Sequence, residues 1–124
     1  MTAVREAEQW LESRLRGAPP ELAAEVRALL FGTAERGPVE ELGGGPVADL
    51  LAAAGLAGLD EVAAAPGGRE SALRLLAADA ALTCAFEAAA GAGGDVARLC
   101  AAVGPSGALG RRLAASTPAR GDGT

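Results

Sequence analysis

Only three of the 124 residues are aromatic, Trp10, Phe31 and Phe86, and the chain contains no Ile. Strands draw heavily on β-branched and aromatic side chains, so this scarcity limits the fold more than any other feature. Half of the residues are nonetheless apolar. The core must therefore come from Leu, Val and a great deal of Ala, which buries little area but has the best helix propensity. The expectation is an all-α fold. The length suits one domain, since about 100–150 residues is usual. We expect a single helical domain over 1–115 and a disordered tail over 116–124.

The missing residue types exclude chemistry. His, Lys, Tyr and Asn are absent, and every basic residue is Arg. Without His there is no Ser-His-Asp or Cys-His pair and no imidazole ligand. Without Lys there is no Schiff base and no P-loop lysine. The reading is a protein with no catalytic residues, no cofactor and no metal. Cys84 and Cys100 stand sixteen positions apart, each within an apolar helical pattern. They read as two reduced, buried thiols of a cytoplasmic protein.

Residues 1–61 carry eleven acids against five Arg, a net of −6, and residues 62–124 carry five acids against six Arg, a net of +1. That acidic half argues against nucleic acid as a partner. The chain starts with no apolar leader, and no stretch approaches the roughly 20 apolar residues of a membrane span.

Apolar periodicity gives a helix over 3–16, capped by Thr2, with Val4, Ala7, Leu11 and Leu15 in its stripe. A second runs from about Pro20 to Phe31. Gly43-Gly44-Gly45-Pro46 reads as a flexible break. Val47–Ala54 and Leu59–Ala65 read as two short helices, with Gly55 stopping the first. The longest helix, about Arg69 to Ala90, has apolar residues on most of its circumference and is expected to be central, surrounded by its neighbours. Asp95 caps a helix with the stripe Val96, Leu99, Cys100 and Val103, and a last short helix carries Leu109 and Leu113. The sum is a compact bundle of five to seven helices.

Asp79 falls on the helical wheel between Phe86 and Leu76, inside the apolar arc. A buried carboxylate costs several kcal/mol unless it is paired or neutral. Asp79 is therefore the candidate ligand-facing residue, beside a pocket lined by Leu75, Leu82 and Phe86. The first helix offers a candidate protein interface at Trp10, Leu11 and Leu15. The Gly-rich turn Gly104-Pro105-Ser106-Gly107 opens a helix bearing Arg111 and Arg112, but it lacks the P-loop spacing and its lysine.

The run Leu75-Leu76-Ala77-Ala78-Asp79-Ala80-Ala81-Leu82-Thr83-Cys84-Ala85-Phe86-Glu87 resembles the central helix of isoprenyl diphosphate synthases. There a Gly-Asp-Ala-Leu-Leu run continues into an Ala-Phe pair. Leu99 to Gly110 is similar to the helix and turn that follow in that family. The resemblance covers residues 75–110. It departs from the family where catalysis would need it: no DDxxD occurs, Ala78 replaces the Gly before the matched Asp, and Gly110-Arg111-Arg112 stands where Gly-Gly-Gln is frequent. The chain is also less than half the family's usual length. The resemblance implies a non-catalytic, shortened relative or companion subunit. The residues themselves point first to a helical interaction module that binds itself or another protein, and second to a small apolar-ligand binder.

Overall fold

The structure, a computed structural model, describes residues 2–65 and 67–116. The tail expected over 116–124 lies outside these residues except for Ser116. Six helices follow in order: α1 (Ala3–Arg14), α2 (Pro20–Glu35), α3 (Pro46–Ala64), α4 (Gly68–Gly91), α5 (Val96–Val103) and α6 (Ala108–Ser116). Among the described residues there is no strand, and the helices form one compact bundle. No helix is long and apolar enough to cross a membrane, among the described residues.

Local chemistry explains most of the boundaries. Thr2 Oγ1 accepts from the Arg5 N–H at 3.4 Å and starts α1. Asp95 Oδ1 accepts from the Arg98 N–H at 2.9 Å and starts α5. Pro in the first turn opens α2 and α3, where its missing N–H costs nothing.

The heart of the bundle is the packing of α3 on α4, the most extensive helix pair in the fold. α3 is one continuous helix through Gly55, where the sequence pattern suggests a stop between two short helices. Both Gly55 and Gly58 are buried where a partner helix comes close. A Cβ on Gly55 would fall 2.6 Å from Leu82 Cγ and 3.0 Å from the Ala78 carbonyl oxygen. A Cβ on Gly58 would fall 3.0 Å from Ala78 Cβ and from Leu29 Cδ1. A glycine normally weakens a helix by about 1 kcal/mol relative to Ala. Here the packing that the missing Cβ allows offsets that cost.

α4 answers with small residues. Its buried face is Ala77, Ala78, Ala81, Cys84, Ala85, Ala88 and Ala89. The larger apolar residues lie elsewhere on the helix: Leu75 is 47% and Leu76 58% exposed. The expected central helix, sheathed on all sides, is thus a helix with its alanines inward and two leucines in solvent. α3 is more enclosed, burying residues along most of its length. α2 packs on α3 and α4, α1 chiefly on α3, α5 on α4, and α6 on α3 and α5. The largest fully buried side chains are Leu11, Leu30, Leu51, Leu99, Val26 and Val103, with no aromatic among them.

Among the described residues, four ion pairs made by three Arg tie helices together across the surface. Arg74 of α4 bridges Glu25 of α2 and Glu61 of α3. Arg112 of α6 grips Asp60 of α3 through two bonds, 2.8 and 3.0 Å. Arg69 meets Glu21 at 2.9 Å in the open, with side chains 84% and 66% exposed, where such a pair contributes little.

The seam yields a paired test. Gly55→Ala should destabilise the protein by about 1–3 kcal/mol through overpacking. Gly32→Ala, in α2 with open space at its Cβ position, should stabilise it by up to about 1 kcal/mol. Urea denaturation of the two variants reads the opposite signs.

Candidate functional site

The one buried carboxylate among the described residues is Asp49, 5% exposed, and not Asp79. Asp49 sits in the first turn of α3. Its Oδ2 accepts from the Leu42 N–H and its Oδ1 from the Gly44 N–H, both at 2.9 Å. The carboxylate is thereby stabilised by backbone donors and no Arg lies in an ion pair with it. Two backbone bonds of this charge-assisted kind suffice to hold a carboxylate inside a fold.

The same bonds pin the segment before α3. Gly43-Gly44-Gly45, expected as a flexible break, is a fitted strap. The Asp95 N–H donates to the Gly43 carbonyl at 3.0 Å. A Cβ on Gly44 would fall 2.9 Å from Ala48 Cβ and 3.0 Å from Leu99 Cδ2. A Cβ on Gly94 would fall 2.3 Å from the Gly44 carbonyl oxygen. Gly43 and Gly45 have φ of 100° and 97°, values that only glycine adopts readily. The strap connects the start of α3 to the start of α5.

Beneath this strap lies a groove of about 700 Å³, between the first turn of α1, the end of α2 and the start of α3. Val4, Val39, Pro38, Pro46 and Leu50 form its apolar walls. Among the described residues, Glu40, Glu41 and Asp49 are its charged lining, and no Arg lines it. Concave, mostly apolar grooves of some 300–1,000 Å³ with a few polar groups are the usual form of small-ligand sites.

The residues singled out from sequence are placed differently. Asp79 is exposed in the middle of the outward side of α4. It does lie between Phe86 and Leu76, but that arc faces solvent. The desolvation that made Asp79 a candidate is therefore missing. Leu75 is exposed beside it, while Leu82 turns partly inward against Gly55 and Phe86 is half-buried at the edge of the core. Leu75, Asp79 and Phe86 lie along one side of the helix as a surface strip and not as the walls of a cavity, whereas Leu82 packs at the edge of the α3–α4 seam. On α1, Leu11 is fully buried and Leu15 is 8% exposed, so both belong to the core of this chain and cannot form an interface. Trp10 is half-buried, and the Arg14 guanidinium stacks on its ring, 4.4 Å from the centroid.

The thiols divide. Cys84 is buried and Cys100, expected buried, is exposed; neither is in a disulfide. Burial, with a smaller contribution from Glu87 and an opposing one from Arg14, pushes the Cys84 thiol up to about 11. The turn Gly104–Gly110 also has a packing explanation. A Cβ on Gly110 would fall 1.7 Å from the Pro105 carbonyl oxygen, and one on Gly107 2.3 Å from that of Ala102. These glycines let α6 fold back closely after α5.

Among signals in the sequence, Gly-Gly-Gly-Pro followed three residues later by Asp could have pointed to Asp49 as an acceptor for the preceding backbone. A scan against protein-family models finds no match for the chain. No curated protein and no solved structure matches it either.

Two outcomes follow. Asp49→Asn places an amide donor against backbone donors and should cost about 1–3 kcal/mol, with hydrogen exchange at Leu42 and Gly44 accelerated; unchanged exchange there would contradict the clasp. At pH 8, well below its raised pKa of about 11, the native Cys84 stays in its unreactive thiol form. An aromatic disulfide reagent at pH 8 should label one cysteine quickly, Cys100, and the second only after unfolding.

Proposed function

We propose that this chain is a helical self-association module that acts by binding and not by catalysis, and that two copies pair through the outward side of α4. The observation that carries this reading is the inverted apolar order of that helix. Its alanines are inside, and Leu75 and Leu76 are about half exposed, with Phe86 half-buried on the same strip. Fully burying a Leu is worth about 1.5–3 kcal/mol relative to leaving it exposed, so a partner surface has energy to gain there.

Most of the strip matches itself, with Leu75 at its margin opposite Glu87. In an antiparallel pair about a two-fold axis placed level with the point midway between Asp79 and Thr83, Leu76 of one copy stands opposite Phe86 of the other. Asp79 stands opposite Thr83, whose hydroxyl can donate to the carboxylate, and Ala72 stands opposite Ala90. An isologous contact requires such matching of a patch with itself. The absence of His, Lys and Tyr from the sequence favours binding over catalysis. Two free thiols favour a reducing compartment such as the cytoplasm.

Sedimentation velocity across a concentration series tests the reading. The expected result is a monomer–dimer equilibrium that Leu76→Glu abolishes while leaving the melting temperature unchanged, because Leu76 contributes little to the core. A strict monomer at high micromolar concentration, or a dimer indifferent to Leu76→Glu, would overturn it.

A further inference from the structure

The groove under the 43–45 strap lies on a different surface from the α4 strip and shares no lining residue with it. We infer that it binds a small organic cation with an apolar body, an amine carried on a hydrocarbon or aromatic group. Three observations converge. The volume of about 700 Å³ is that of a small-molecule site. The walls are apolar, Val4, Val39, Pro46 and Leu50 among them, which suits a hydrocarbon body. Among the described residues, the charged side chains that line the groove are three carboxylates, Glu40, Glu41 and Asp49, with no basic residue beside them.

The amino termini of α1 and α3 both oppose this field, but each carries only about half a positive charge. The three carboxylates exceed them. Asp49 is also a fixed element. It is buried and held by the Leu42 and Gly44 N–H groups, so it need not reorganise to meet a cation. Each ionised carboxylate oxygen can accept more than one bond, so acceptor capacity remains. Glu40 and Glu41 are exposed and supply the adjustable part of the charge.

An isosteric series provides the test: phenylbutylamine, phenylbutanol and phenylbutyrate, titrated into the full chain by calorimetry and by amide NMR. The amine should bind about five- to tenfold more tightly than the alcohol at low salt, the range that one or two exposed ion pairs supply. The carboxylate should bind more weakly than the alcohol. Amide shifts should gather at residues 2–4 and 37–50. The double variant Glu40→Gln, Glu41→Gln should lose most of the preference for the amine with an unchanged melting temperature. Equal binding of the three compounds, no binding of the amine at millimolar concentration, or shifts centred elsewhere would each overturn the inference. Sedimentation of the same samples separates this result from that of the α4 pairing, since Glu40→Gln, Glu41→Gln leaves Leu76 intact.

Discussion

The close approach of α3 and α4 is the constraint on which the rest of this structure depends. Gly55 and Gly58 leave no side chain between the helices, and Ala78 and Leu82 fill the space directly. In a chain with so few large residues, contact area must come from proximity. Dispersion falls off steeply with separation, so alanine faces contribute only when backbones come near. Once α4 presents Ala77, Ala81, Ala85 and Ala88 inward, the 100° step of the helix sends Leu75 and Leu76 outward. The exposed strip is thus a geometric consequence of the seam. α1 and α2 then close the remaining sides of α3 with the leucines that the core does use, Leu11 and Leu30.

A second, smaller constraint sets the pole of the bundle. Asp49 turns the segment before α3 into a fixed strap, and that strap roofs the groove. A glycine triplet without the carboxylate would be a mobile linker. With it, the segment passes between Ala48, Leu99 and the backbone at Gly94 at Gly44, where no side chain fits, and Gly43 and Gly45 supply the positive φ that shapes the turn on either side. Stability and a candidate binding site thus come from one side chain. The charge distribution follows the same division, with the acidic first half of the sequence surrounding the groove.

Much of the fold is legible in the sequence because it is local. The cap at Thr2, the cap at Asp95, Pro20 in a first turn and the period of α4 each act within a few residues. What is not legible depends on a partner elsewhere in the chain. Gly55 reads as a stop by its neighbours, and only the arrival of α4 makes it an interior position. The wheel places Asp79 correctly between Phe86 and Leu76 but cannot say which side of an Ala-rich helix is buried; the larger side chains are the usual guide, and here they mislead. Asp49 escapes notice because its acceptors' partners are backbone groups, which leave no side-chain signature. Leu11 and Leu15 follow their stripe into the core, so a stripe of that kind says little about interfaces.

Native-state hydrogen exchange tests the central role of the α3–α4 seam most directly. The account predicts that the slowest amides lie in 50–59 of α3 and 77–89 of α4 and exchange only by global unfolding. The first turns of α4 and the whole of α6 should open locally and exchange faster. Slowest exchange in α1 and α2, with α3 no better protected than α6, would contradict it.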